Sequence, residues 1–556
     1  MFAWASLLEN AGEPAIESQY RDPAVLRDLG YTGAVLYATT ALSGLAKLDQ
    51  VRSTEIRSWL DAQITALYAK IEAYRSVDLD VFASLDALVL PKDVIERGGP
   101  SMRCRGRTAL CPAAEPAWEA VMAGVRATLR RWPQLAGIVV RFGDHDADRL
   151  PHLAGNDLYT PHCPRCSGVS RADRITDLVH RYRKVVVEEF DKTLVVRAWN
   201  VRPGGLHDHA DLASAVAAGL DRKANDGKTI FSFKFTQTDF WRYQPWNPSS
   251  LSMGDWPVVY ELQCQREFEG KGGVPDWQPP LWRDGMPEVA PPAGGRAKGN
   301  KPVVGLADAA KHANVVGLWA WVRGGGWGGP FVGDERWIDA NVAAVPQLAK
   351  DPARKLGDLA DHWLKQRLGI KTGPLRKALR RVLVESPEVV LRAFYLEAYA
   401  ATRPDAWHPN GDWVQDDNVD AEALWRVIQR LPDAKLDAVV GEKQDAAARI
   451  VDLRAELQRA VGDRQHPTLE PLVNTLLYAE ALFEAWRDLA DGLVAYRRFK
   501  AGLVDGRLVV QRLAAAQSHW NHHAQRFSTL PGTATAFRER GLWDLTQRLL
   551  EDAAGG

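Results

Sequence analysis

The chain has 556 residues, 46% hydrophobic and 25% charged, the composition of a globular protein with room for two or three domains. Its 70 Lys and Arg balance 70 Asp and Glu, so no net positive field draws it to nucleic acid or an anionic membrane. No apolar run approaches the ~20 residues that span a bilayer, and "MFAWASLLENAGEP" has neither the basic start nor the cleavage site of a secretory signal. Five cysteines in a chain of this size fit a reducing compartment better than a disulfide framework, and the expected location is cytoplasmic. Tryptophan is the compositional outlier, with 21 residues against 15 Phe and 13 Tyr; such planes stack on sugar rings as readily as they fill a core.

In chain order, strand-like runs occur at 2–6 (FAWAS), 33–37 (GAVLY), 77–85 (VDLDVFASL) and 137–142 (GIVVRF). They continue at 193–199 (TLVVRAW), 229–236 (TIFSFKFT), 257–265 (PVVYELQCQ) and 315–322 (VVGLWAWV). Helical periodicity fills most of the gaps, as at 115–132 and 171–190. Eight such units predict a (β/α)8 TIM barrel over 1–350. Two gaps depart from the pattern: 240–256 carries Trp, Pro and Ser and no helix, and 270–302 reads as a long Pro/Gly/Lys-rich loop over the barrel end. From 351 to 556 the apolar spacing is helical throughout, giving an α-helical C-terminal domain with a surface suited to a homodimer.

Chemistry in a (β/α)8 barrel collects at the C-terminal strand ends. Strand four ends in Arg141, Asp144, His145 and Asp146, and strand five in Arg197 and Trp199. Strand six puts Ser232, Lys234 and Thr236 on one face with Asp239 beyond, and strand seven aligns Glu261, Gln263, Gln265 and Glu267 at every second residue. One polar strand face is most simply an internal ion-pair network; four in succession favour a functional site. Arg141, Arg197 and Lys234 suit an anionic substrate group. Asp144, Asp239 and Glu267 suit acid and base, since glycosidic cleavage needs one carboxyl to protonate the leaving oxygen and a second to activate water or attack the anomeric carbon. An oligosaccharide bearing an acidic sugar would match both sets, with no metal or organic cofactor required.

The segment "FKFTQTDFW…VVYELQCQREFEG" resembles the family 67 glycoside hydrolases, the α-glucuronidases, in which a Lys-x4-Asp strand end precedes an "ELQxxQEYxG" strand. Lys234 stands five residues before Asp239, and Glu267 follows 28 later. "RAW" (197–199) is similar to that family's "RAF", and 326–363 is similar to its Trp-rich passage into the helical domain. The resemblance implies that Asp239 and Glu267 activate the hydrolytic water, that Arg141, Arg197 and Lys234 hold the uronate carboxylate, and that configuration inverts, with the carboxyls roughly 6.5–9.5 Å apart. The predicted barrel begins almost at Met1, so the family's N-terminal α/β domain is expected to be missing. Its general acid, a Glu in a "KADSE"-like motif, meets "RFGDH". Asp144 is the preferred acid, with His145 and Asp146 as alternatives.

Other signals fall outside that frame. Cys163 and Cys166, in "HCPRC", have metal-ligand spacing, and Cys104 and Cys111 could complete a four-cysteine zinc site. Their unequal spacings favour ordinary thiols and no metal. Cys264 is expected to pack against helices. His152 and Asn156 could bind sugar hydroxyls, and Glu261, Trp199 and Trp327 could line the sugar. "GGGWGG" lacks the Lys-Ser/Thr of a phosphate loop, and "GRAKGNK" reads as a solvated loop.

Overall fold

The computed structural model describes residues 1–9, 15–37, 51–105, 109–144, 147–161, 163–221, 225–290, 302–325, 334–403, 420–462, 469–527 and 540–555, with a few single residues and short pieces between them. Eight parallel strands close into a barrel: β1 (Phe2–Leu8), β2 (Gly33–Tyr37), β3 (Asp80–Asp86), β4 (Gly137–Arg141), β5 (Thr193–Arg197), β6 (Thr229–Lys234), β7 (Val258–Gln263) and β8 (Val315–Gly324). The order around the barrel follows the chain, and β8 closes onto β1, with Trp4 opposite Trp319. All eight predicted strands are present.

The β-branched runs "VVY" and "LVV" supply strands buried on both faces, the pattern of a parallel sheet covered by helices. Two of those helices start on serine caps: Ser53 accepts from Ile56 N before Thr54–Arg75, and Ser170 from Asp173 N before Arg171–Arg183. Two sequence expectations need correction. The 240–256 stretch contains one helical turn, Pro248–Leu251, capped by Asn247. The 270–302 stretch is not loop throughout, because its paired prolines open a helix at Pro279–Asp284; residues 291–301 lie outside the described part.

Beyond β8 the chain is helical. Helices Arg336–Lys350 and Pro374–Phe394 each run through a proline, which removes one N–H and frees a carbonyl four residues back. Both freed carbonyls find donors. Val342 O accepts from the Tyr31 hydroxyl at 2.8 Å and Leu383 O from the Ser386 hydroxyl at 3.0 Å. Longer helices follow at Leu436–Val461, Glu470–Lys500, Gly506–Phe527 and Gly541–Gly555. One apolar core runs without interruption from the barrel into these helices. Among the described residues, no helix is long and apolar enough to cross a membrane.

Candidate active site

Strand register assembles the barrel mouth. Asp86 lies opposite Arg141, Arg141 opposite Arg197, Arg197 opposite Ser232, and Lys234 opposite Glu261. The side chains interlock accordingly. Arg141 is 4% exposed and donates to Asp86 through Nε and Nη2 at 2.7 and 2.6 Å, with its guanidinium 5.2 Å from the Tyr37 ring. Glu261 is fully buried: its carboxylate accepts from Arg197 Nε at 3.1 Å, Ser232 Oγ at 2.6 Å and Trp321 Nε1 at 3.1 Å. A buried carboxylate survives only with such compensation. Glu261 therefore acts as the keystone of the mouth more than as a sugar ligand.

The reactive candidates hang from this frame. Asp144 lies 3.8 Å from Arg197 Nη1, and Asp239 forms an ion pair with Lys234. Lys234 Nζ sits 3.5 Å from the centroid of Trp199 and 4.8 Å from that of Trp321, a cation held by aromatic faces. Trp199 thus serves the lysine and is itself 4% exposed. The side chains of Asp144 and Asp239 keep 29% and 22% of their surface, against 2% for the cations beside them.

Glu267 follows β7 and is buried at the same mouth, where its backbone N–H donates to Gln263 Oε1. A Cβ placed on Gly325 would lie 2.8 Å from Glu267 Oε2 and 3.1 Å from Gln263 Nε2, and Gly325 has φ +91°. Only glycine both adopts that backbone and leaves the carboxylate its space. Gly143, next to Asp144, is likewise confined to glycine, here by packing: with φ +78°, an added Cβ would strike Tyr159 at 2.5 Å and Asn200 at 2.7 Å. Gln263 Nε2 and Gln265 Nε2 are buried amide donors without a protein partner among the described residues, a state that costs energy unless a ligand or water accepts.

Behind Glu267, Arg266 donates to Glu269 through Nε and Nη2, and Tyr395 Oη donates to Glu269 at 2.5 Å. Asp276 Oδ2 is 4.0 Å from Arg266, and its carboxyl is pushed up to about 7 by burial and by Glu269. Arg242 completes the join, pairing with Glu288 and donating to Pro387 O.

The mouth thus unites Asp144, Asp239, Glu267, Arg141, Arg197, Lys234, Trp199 and Glu261. His152 is not brought to this network: its contacts are the Trp59 ring and Glu55 on helix Thr54–Arg75. Asn156 is occupied by Leu110 O and Leu158 N. His145, Asp146 and Trp327 lie outside the described residues. Sequence reasoning missed Asp86, Tyr37 and His207. His207 is fully buried, with Nε2 3.1 Å from Thr236 O, and burial, aided by Lys234, holds it well below the usual imidazole range, hence neutral. Of these three only Asp86, an acidic residue closing a strand, carried a signal in the sequence.

No family model matches the sequence, and no curated protein matches it by sequence. By structure, the chain is similar to a family 138 glycoside hydrolase described as targeting pectin rhamnogalacturonan II, at TM-score 0.55 and 12% identity, covering 100% of this chain and 67% of that one. It also aligns with an O-GlcNAc hydrolase mutant from Thermobaculum terrenum (TM-score 0.43, 10% identity, 99% and 94% of the two chains). A third is a family 20 exo-β-N-acetylglucosaminidase from Vibrio harveyi (TM-score 0.33, 9% identity, 68% and 58%). At 12% identity the first of these likenesses bears on the fold alone, a closed parallel (β/α)8 barrel followed by helices, shared with that glycoside hydrolase.

Proposed function

We propose that this protein is an inverting glycoside hydrolase that cleaves an α-linked, uronic-acid-bearing sugar. The observation that carries the reading is the contrast in exposure at the mouth: Asp144 and Asp239 are partly open, while the cations beside them, Arg197 and Lys234, are buried. Carboxylates held in place from below and open above are what glycosidic cleavage requires. Asp144 protonates the leaving oxygen. Glu267, with Asp239, positions water and takes its proton, and Gln263 Nε2 offers a donor to that water or to a ring hydroxyl. The sequence resemblance to family 67 and the barrel shared with glycoside hydrolases support the same reaction class.

Preference for a uronate rests on Arg141, Arg197 and Lys234. A second reading, a neutral sugar, is favoured by the fact that each cation already faces a carboxylate: Asp86, Glu261 and Asp239 respectively. The test is sugar release from paired uronides and neutral glycosides of the same linkage. Faster turnover of the uronide, lost in Lys234→Ala, supports the acidic substrate. Equal rates on both, unchanged by that substitution, would assign the neutral sugar. Measurable sugar binding with no turnover of either would leave a binding protein and overturn the enzyme reading.

A further inference from the structure

Four of the five cysteines converge at one place on the barrel's C-terminal side. Cys104 and Cys111 belong to the segment after β3, Cys163 and Cys166 to the segment after β4, and the four sulfurs all lie within 4.8 Å of one another. The contacts Cys104–Cys166, Cys111–Cys163 and Cys163–Cys166 are 3.9, 3.7 and 3.6 Å. A disulfide needs about 2.05 Å. Four thiolates around one zinc ion at about 2.3 Å stand about 3.8 Å apart along each edge of the tetrahedron.

The backbone is shaped for the same end. Cys104 and Cys111 flank a tight turn closed by the antiparallel pairing of Arg103 with Leu110 and by the Cys104 N–H donating to Ala109 O. Cys163 stands at the start of the turn Pro164–Ser167, and its N–H points at Cys166 Sγ at 3.4 Å. A hairpin pair facing a Cys-x2-Cys turn is a closed, four-coordinate arrangement with no position left for substrate.

Charge supplies an independent observation. Four thiolates and one divalent cation carry a net charge of −2, which needs compensation. Arg165 Nε donates to Cys111 Sγ at 3.2 Å. Arg174 is 6% exposed, its Nη2 donates to Tyr159 O at 3.4 Å, and its Nε and Nη1 have no hydrogen-bond partner among the described residues. A buried guanidinium with two unmade hydrogen bonds is costly without a counter-charge, and a metal-thiolate cluster on the same segment after β4 would supply one.

We propose that Cys104, Cys111, Cys163 and Cys166 bind a structural zinc ion. The ion staples the segment after β3 to the segment after β4, where Asn156 already donates to Leu110 O and the Gly143 N–H to Asp157 O. It thereby fixes the base of the loop that bears Asp144. Tetrathiolate sites accept iron as well as zinc; zinc is the assignment because the site serves as a clasp without redox duty.

The test is elemental analysis of the full chain, purified under reducing conditions without a metal-affinity step. The expected result is one zinc per chain, released stoichiometrically when an organomercurial blocks the thiols. Zinc should be lost in Cys104→Ser and Cys166→Ser but kept in Cys264→Ser, which controls for a general effect of removing a thiol. If the site variants do not fold, exchange of the wild type into cobalt gives the second readout: intense ligand-field bands of a tetrahedral tetrathiolate are expected. No zinc bound after reconstitution with zinc alone, iron in its place, or a disulfide joining any two of the four would each overturn the assignment.

Discussion

The loop after β4 and the loop after β7 each present one carboxylate to the barrel mouth, Asp144 and Glu267, and they are fastened by different means. Behind Glu267 the chain is locked by the buried ion pairs of Arg266 with Glu269 and Arg242 with Glu288, and hydrogen bonds tie both to the C-terminal helices, from Tyr395 Oη to Glu269 and from Arg242 to Pro387 O. Behind Asp144 the segment rests on backbone hydrogen bonds and on the four cysteines. Charges in a low-dielectric interior hold strongly but fail badly when one partner is removed. A metal clasp holds by affinity, and it can be removed without changing a residue. The helical region is therefore part of the device that aims Glu267, while the loop bearing Asp144 is a local construction of two barrel segments.

The comparison can be broken at either end. The largest effect is expected from Glu267→Gln, a loss of ~10²–10⁴-fold in turnover with an unchanged melting temperature; kinetics beside thermal denaturation would check it. Asp144→Asn should cost a similar factor on sugars with poor leaving groups and much less on those with good ones, which need no proton. Removing the clamp instead of the carboxylate acts first on stability: Arg266→Ala leaves Glu269 buried without its cation and should destabilise by about 3–5 kcal/mol, read by urea denaturation. Gly325→Ala and Gly143→Ala test the two loops in parallel. Each forces a side chain into a left-handed backbone position against a named neighbour, and each should lower turnover more than stability.

The last effect is a pH dependence. In the unfolded chain Asp276 releases its proton near about 3.9, while in the fold it keeps it up to about 7. Between those values the folded state binds more protons than the unfolded, so this group's contribution to stability falls as pH rises through that window. Asp276→Asn should flatten the dependence between about pH 4 and 7, as seen by denaturation at a series of pH values. Neutral, buried His207 acts in the opposite sense, lowering stability as pH drops below about 6.5, where the unfolded imidazole gains a proton.

How much of this the sequence disclosed depended on periodicity. The eight strands were legible because runs such as "GIVVRF" and "TLVVRAW" are β-branched and bounded by Gly, Pro or charge. The polar faces of β6 and β7 were legible because alternation survives burial. Asp86 was harder to read, since one acidic residue at a strand end looks like any solvated terminus; its pairing with Arg141 across 55 residues is a tertiary fact. The helical spacing beyond 350 was legible too, but not that helix Pro374–Phe394 continues through Pro387, which it does with Ser386 satisfying the freed carbonyl. The four cysteines were named together in the sequence, but their separation favoured ordinary thiols. Spacing along the chain, 52 residues from Cys111 to Cys163, says nothing about two loops that meet on one rim.

The central claim is that Asp144 and Glu267 act as acid and base on opposite sides of a glycosidic bond. Its most direct test is the anomeric configuration of the sugar first released from an α-linked uronide, followed by NMR before mutarotation, in wild type and Glu267→Gln. The account predicts the β-anomer from wild type and none above background from the variant. Release of the α-anomer, or undiminished release from Glu267→Gln, would contradict it.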